Sequence, residues 1–320
     1  MMFKHRHVLD LDVMDPADVN LVLETTDQMK EILARPIRRI PPLRGKTVVN
    51  LFFEASTRTR VSFELAAKNL SADVVNVSSS GSSVEKGESL IDTVNTLQAL
   101  GSDAIVMRHS QAGAPYIVAQ HLDRLGMHGS VINAGDGWHA HPTQALLDLY
   151  TIRERRGDLR GLTCVIVGDI LHSRVARSNV WAMTCMGMRV VLCGPATMMP
   201  ALNGKDQLGL PSVEVVEDLD RAMADADVVM ALRIQKERQE AGLMPSLREY
   251  IRLYQISRKR LERARPDIVV MHPGPMNEGV EIAPDVATDR RAVIEQQVTN
   301  GVAVRMALLY LLAGENSGAL

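Results

Sequence analysis

The sequence predicts an α/β protein. Two doubly wound parallel-sheet domains are joined by interdomain helices, and a C-terminal helix packs back on the first domain. Three observations carry this expectation. Apolar runs of strand length are continuous rather than alternating, as in parallel sheets covered on both faces. Helical patterns lie between most of those runs, which is how parallel strands are connected. The runs fall into two series within 320 residues, a length that suits two domains.

The elements follow in order. Strand-like runs at 47–53, 73–77, 104–108 and 131–134 make the first series. The first of them, Val48-Val49-Asn50-Leu51-Phe52-Phe53, breaks at Ala55-Ser56, and a helical pattern continues through Leu65 and Leu70. The helical stretch 143–155, followed by Arg156-Gly157-Asp158-Leu159-Arg160-Gly161, links the domains. The second series lies at 163–168, 189–193, 213–216, 228–232 and 268–272. A long helical pattern at 292–313 then crosses back toward the first domain. The predicted domains are 1–144, completed by a helix at about 292–320, and 145–291. No low-complexity tract or short-period repeat interrupts this order.

Composition narrows the function. The chain is 46% apolar and 23% charged, and its 36 basic and 38 acidic side chains give a formal net charge of −2. That balance supplies no general attraction to nucleic acid or an anionic membrane. An aromatic content of 3% leaves little for base stacking. Cys164, Cys185 and Cys193 form no C-x-x-C pair and sit in apolar surroundings, so reduced core thiols are expected. The start, Met1-Met2-Phe3-Lys4-His5-Arg6-His7, has no apolar signal core, and no run reaches transmembrane length. These features together predict a cytoplasmic location.

The chemistry concentrates where strands end. Ser56-Thr57-Arg58-Thr59-Arg60 places three hydroxyls and two arginines at a strand-to-helix turn. A helix N-terminus offers unpaired N–H donors and the positive end of the helix dipole, which suits a phosphate or carboxylate. Arg58 can fork two oxygens while Ser56, Thr57 and Thr59 donate beside it. A capping Ser or Thr followed by a solvated basic turn is the plainer reading. The density of cationic and hydroxyl groups favours an anion site.

Other segments extend the pattern. Ser78-Ser79-Ser80-Gly81-Ser82-Ser83-Val84-Glu85-Lys86-Gly87-Glu88 reads as a polar surface loop, on which the Lys86 ammonium can neutralise a substrate anion upon closure. Arg108 ends a parallel strand, where side chains reach the ligand crevice of an open α/β sheet; a structural ion pair is the alternative. In His141-Pro142-Thr143-Gln144, Pro142 suits the first helical turn and Gln144 falls just beyond it. His139-Ala140-His141 permits a metal reading, but the other histidines are scattered and no acidic partner set accompanies them, so no metal is expected. Val165-Ile166-Val167-Gly168-Asp169 leads into a helix as a dinucleotide-binding unit does. It lacks G-x-G-x-x-G and reads instead as a second anion turn with Arg174 as ligand. Arg233-Ile234-Gln235-Lys236-Glu237-Arg238 follows a further strand, and His272-Pro273-Gly274-Pro275 closes the last one with two prolines that fix a loop.

Together these motifs, in both halves and in this order, resemble the aspartate and ornithine carbamoyltransferases. Ser-Thr-Arg-Thr-Arg is similar to their carbamoyl-phosphate motif, and His141-Pro142-Thr143-Gln144 to their His-Pro-x-Gln signature. The resemblance implies that Ser56, Thr57, Arg58, Thr59, Arg108, His141 and Gln144 bind carbamoyl phosphate, with Gly274 and Pro275 contributing. It implies that Ser82 and Lys86 reach into a neighbouring subunit's site. Arg174, Arg233, Gln235, Lys86 and Gly274 would take aspartate, with Arg233 forking its β-carboxylate. Arg58, Thr59, Lys86 and His141 would be catalytic, His141 and Arg58 polarising the carbamoyl carbonyl as an oxyanion site does.

The implied reaction transfers the carbamoyl group of carbamoyl phosphate to L-aspartate, giving N-carbamoyl-L-aspartate and phosphate early in pyrimidine synthesis. No cofactor, metal, nucleic acid or membrane is implied. The implied assembly is a homotrimer with shared active sites, open to regulatory or dihydroorotase-type partner chains. Another amine acceptor such as ornithine is the alternative within the family. Arg233 argues against it, because arginine would repel a cationic side chain, and the loop at His272 lacks the cysteine that ornithine enzymes carry. Two positions depart from the pattern: Val175 stands where some members have threonine, and Glu278 where one branch has arginine. Outside the family, a nucleotide-linked oxidoreductase and a non-enzymatic anion-binding protein are the competing classes. The missing glycines weigh against the first and Lys86 against the second.

Overall fold

The computed structural model describes residues 3–78, 87–200, 209–211, 213–234 and 246–314. The chain divides into two compact units, one of residues 1–147 and 298–320 and one of residues 148–297.

In the first unit, α1 (Pro16–Leu33) starts at Asp15, whose side chain accepts from the Ala17 and Asp18 amides in a capping box. There follow β1 (Thr47–Phe52), α2 (Thr57–Asn69), β2 (Asp73–Ser78), α3 (Leu90–Ala99), β3 (Ala104–His109), α4 (Ala114–Arg124), β4 (Ser130–Asp136) and α5 (Pro142–Arg156), whose residues from Asp148 on belong to the second unit. The strands form one sheet in the order β2-β1-β3-β4, all pairs parallel. Residues of β1, β3 and β4 are almost all buried, as their unbroken apolar runs require. Val49, Leu51, Ile105, Met107 and Val131 meet Val94, Val118 and Leu122 of the helices in one core cluster.

The second unit holds β5 (Thr163–Val167), α6 (Arg174–Cys185), β6 (Arg189–Cys193), β7 (Glu214–Val215), α7 (Leu219–Met223), β8 (Val228–Ala231), α8 (Leu247–Tyr254), α9 (Arg258–Arg263), β9 (Val269–Met271) and α10 (Pro284–Ala287). Its sheet is parallel, in the order β7-β6-β5-β8-β9. The run predicted at 213–216 shortens to the two exposed residues of β7. It lies at the edge of the sheet, where one side has no strand to extend the pairing.

The long helix α11 (Ile294–Ala313) carries the chain back into the first unit. There Arg305 Nη1 donates to Ser62 Oγ at 2.7 Å, and its guanidinium lies 5.1 Å from the Phe63 ring centre. Lys30 of α1 donates to Asn300 at 2.9 Å. The packing of the C-terminal helix on the first domain is thus fixed by polar contacts as well as by the buried Val304, Leu308 and Leu309.

Candidate active site

Both sheets place arginines at the same topological position. In the first unit the chain runs from β1 outward to β2 and returns to β3 on the other side of β1. Connections that leave in opposite directions open a crevice at the carboxyl ends of β1 and β3, where ligands of open α/β sheets bind. The Ser56–Arg60 turn follows β1, and Arg108 lies beside Phe52 in the β1–β3 register. In the second unit β5 has β6 on one side and β8 on the other. Arg174 follows β5, and Arg233 follows β8.

At the first crevice, Ser56 occupies the N-cap of α2 in extended conformation, φ −159° and ψ 97°, yet its side chain makes no capping hydrogen bond. Capping therefore does not account for this serine. The first turn of α2 carries no acidic residue, and Arg58 and Arg60 are exposed while Thr59 is buried. An exposed, hydroxyl-rich cationic turn on a helix of 13 residues is suited to an anion.

Arg108 is nearly buried. Its Nη1 donates to the Ala134 carbonyl at 3.2 Å, and its Nη2 pairs with the Glu54 carboxylate. The ion-pair reading of this arginine is borne out, at a strand end that borders the crevice. The pair keeps a costly buried cation in place with its fork oriented.

His141 is buried directly before α5, and its carbonyl accepts from the Gln144 amide at 3.0 Å to begin that helix. The turn that delivers it is fastened by Asp136, which is fully buried at the end of β4. Asp136 accepts from the Gly113 amide at 2.7 Å, Asn133 Nδ2 at 2.7 Å and the Ala140 amide at 3.1 Å. His139 faces carboxylates, with Nδ1 3.2 Å from Asp136 and Nε2 3.7 Å from Asp10. Among the described residues no group of three or more His, Cys, Asp or Glu is arranged to hold a metal ion.

At the second crevice, Gly168 ends β5 with φ +131°, and a Cβ there would stand 3.1 Å from Leu232 Cβ and 3.3 Å from the Tyr250 hydroxyl. This glycine serves the close approach of two strand exits rather than a pyrophosphate. Buried Asp169 accepts from the His172 amide at 3.2 Å and lies 2.9 Å from His172 Nδ1. Burial holds the His172 imidazole below its ordinary pKa. Ser173 then caps α6 by accepting from the Ala176 amide at 3.1 Å, which sets Arg174, half-buried, as the first helical residue. Arg233 is exposed, and the strand pairing runs up to its neighbour, where the Leu232 amide donates to Val167 O at 2.8 Å. The Gly274-Pro275 loop leaves β9, with Gly274 at φ +63° and its amide donating to His272 Nδ1 at 2.8 Å. Val175 is half-buried on α6, and Glu278 is exposed.

Ser56, Thr57, Arg58, Thr59, Arg108, His141 and Gln144 lie in the first unit. Arg174, Arg233, Gly274 and Pro275 belong to the second. Ser82, Lys86 and Gln235 lie outside the described residues. Burial raises the Cys164 thiol and pushes Cys193 up to about 12, so neither is a nucleophile near neutrality. Sequence reasoning gave no role to Glu54, Asp136 or Glu281. Each acts through a partner distant in the chain or through a turn closed on itself. The only local sign was the Gly135-Asp136-Gly137 turn before His141.

Along nearly its whole length the chain is similar to known proteins. Residues 6–154 match the model of the aspartate/ornithine carbamoyltransferase carbamoyl-phosphate-binding domain, and residues 160–312 that of the aspartate/ornithine-binding domain. An aspartate carbamoyltransferase catalytic subunit of Roseiflexus castenholzii is 63% identical over 313 residues, 98% of this chain and 96% of that relative. The corresponding subunit of Heliobacterium modesticaldum is 53% identical over the full length of both. Aspartate transcarbamoylase of Trypanosoma cruzi, solved with N-(phosphonacetyl)-L-aspartic acid, superposes with a TM-score of 0.85 at 29% identity, covering 98% of this chain and 97% of that one. Ornithine carbamoyltransferase of Pyrococcus furiosus gives the same TM-score, 0.85, at 29% identity, covering 98% of this chain and 99% of its own. Backbone likeness therefore does not separate the two acceptors, whereas the high-identity relatives carry the aspartate name.

Proposed function

This chain belongs to the aspartate/ornithine carbamoyltransferase family, and on that premise we propose how its residues transfer a carbamoyl group from carbamoyl phosphate to L-aspartate. The reaction gives N-carbamoyl-L-aspartate and phosphate. The observation that carries the acceptor is the 63% identity to a catalytic subunit named for aspartate, joined to Arg174 and Arg233 at the second unit's crevice.

Carbamoyl phosphate binds at the first crevice. The α2 N-terminus with Ser56, Thr57, Arg58 and Thr59 takes the phosphoryl oxygens, Arg108 adds its oriented fork, and Gln144 assists. His141 and Arg58 donate to the carbamoyl oxygen. Arg174 and Arg233 hold the two carboxylates of aspartate, Gln235 supports Arg233, and the Gly274-Pro275 loop offers a carbonyl to the amine. The amine nitrogen attacks the carbamoyl carbon, and charge develops on the carbonyl oxygen. The carbon–oxygen bond to phosphate then breaks, and the departing phosphate takes up the proton that the amine gives up. Stabilising that oxyanion and positioning two anions supply the rate, with no covalent enzyme intermediate.

The active assembly in this reading is a homotrimer, with Ser82 and Lys86 completing a neighbour's site. Support comes from Val61 and Leu65 on α2 and Val75 on the edge strand β2, which expose apolar surface just before the 79–86 segment in the chain. Free, reduced Cys164, Cys185 and Cys193 suit a cytoplasmic role in pyrimidine synthesis. The residue assignment is tested by replacing Arg174 or Arg233 with alanine. Each replacement should raise the aspartate KM and leave carbamoyl-phosphate affinity in place; equal weakening of both substrates would contradict it.

A further inference from the structure

The loop that leaves β8 with Arg233 and the loop that leaves β9 with Gly274-Pro275 are tied by two side chains, the fully buried carboxylate of Glu281 and the amide of Asn277. Its Oε1 accepts from the Ile234 amide at 2.8 Å and from Asn277 Nδ2 at 2.7 Å, and its Oε2 accepts from the Asn277 amide at 2.8 Å. Asn277 Nδ2 also donates to the Ile234 carbonyl at 2.8 Å. Both backbone polar groups of Ile234, the residue after Arg233, are thereby engaged. His272 stands on the other side. Its Nδ1 accepts from the Gly274 amide at 2.8 Å, which places the ring proton on Nε2, 3.8 Å from Glu281 Oε2.

A buried carboxylate is a weak source of stability, because desolvation offsets its hydrogen bonds. Burial does raise the Glu281 carboxyl above its ordinary range, against the opposing amide donors. What the carboxylate does provide is geometry: several acceptor sites at one point, matched by backbone and side-chain donors from two loops.

We infer that Glu281 is a positioning residue of the acceptor site: it fixes the Ile234 backbone, and through it the Arg233 guanidinium, relative to the Gly274-Pro275 loop. This rests on the assignment of Arg233 to aspartate. A side chain that is itself exposed takes its position from the backbone beneath it, and small displacements of a binding group cost much of its effect.

Glu281→Gln is nearly isosteric, but it must turn an amide NH2 toward one of the donors that the carboxylate satisfied. Aspartate KM, kcat and carbamoyl-phosphate Kd should be measured for the wild type, Glu281→Gln, Arg233→Ala and the double variant. In the wild-type background Glu281→Gln should raise aspartate KM about tenfold, the scale of losing hydrogen bonds to a charged group, and leave carbamoyl-phosphate Kd within about twofold. In the Arg233→Ala background the same change should raise KM less than about twofold, because the group it positions is gone. An unchanged KM, or fully additive effects, overturns the inference while leaving the Arg233 assignment intact. An Arg233→Ala variant with wild-type KM overturns both. Should Glu281→Gln fail to fold, Glu281→Asp, which keeps the charge but draws the carboxylate one methylene back from the Ile234 amide, replaces it in the same cycle with the same two outcomes.

Discussion

Arg108 and Glu54 form an ion pair between the end of β3 and the residues that follow β1, on the two sides of the first unit's topological switch point. The pair orients the arginine fork before any substrate arrives. Arg108→Ala should weaken carbamoyl phosphate about tenfold or more, the scale of a charge-assisted hydrogen bond lost in a shielded site. Glu54→Gln keeps a hydrogen-bond acceptor and should change the same Kd by only about threefold. Equilibrium titration of carbamoyl phosphate against each variant checks the order, and a larger effect at Glu54 would reverse the two roles.

Arg58 is exposed on the first turn of α2, so its loss removes little packing. Arg58→Ala should lower turnover by about two powers of ten, the scale of losing one oxyanion donor. Its melting temperature should stay within a few degrees of wild type. Turnover within a few-fold of wild type would remove Arg58 from the chemistry.

Asp136 makes a structural prediction with a catalytic readout. Asp136→Ala leaves the Gly113 and Ala140 amides and Asn133 Nδ2 without their acceptor. Stranding buried donors costs about 3 kcal/mol or more in total, a drop of roughly 6–12 °C for a unit of about 170 residues such as the first one. Turnover should fall with it, because the turn before His141 loosens. Thermal unfolding followed by circular dichroism, with and without carbamoyl phosphate, separates the two effects.

The shared-site reading predicts complementation. Lys86→Ala and Arg58→Ala chains should each be nearly inactive. Mixed and reassembled, they should regain about one wild-type site per hybrid trimer, where intact Arg58 of one chain meets intact Lys86 of the other. Hybrids verified by mass that stay inactive would return Lys86 to its own chain's site.

Much of the fold was legible in the sequence because buried parallel strands announce themselves as continuous apolar runs, and Val48–Phe52 and Cys164–Val167 do so plainly. The arginines at strand ends were legible for the same reason, since a charge that interrupts such a run marks the crevice. What was not legible depends on contacts between distant residues. Glu54 meets Arg108 across 54 positions, and Glu281 meets Ile234 across 47; no periodicity encodes such pairings. Gly168 reads in the sequence as an incomplete dinucleotide loop, and only its spatial neighbours Leu232 and Tyr250 supply its reason. The extent of β7 was overestimated because an apolar run does not reveal whether a partner strand exists on both sides.

The central claim is acceptor identity, and the wild-type chain tests it directly. Incubated with carbamoyl phosphate and a panel of amino acids, it should form a ureido product with L-aspartate, with one phosphate released per product. Ornithine should give little, since Arg233 repels a cationic side chain. Carbamoylation of ornithine at a rate comparable to aspartate, or no ureido product from aspartate, would contradict that claim.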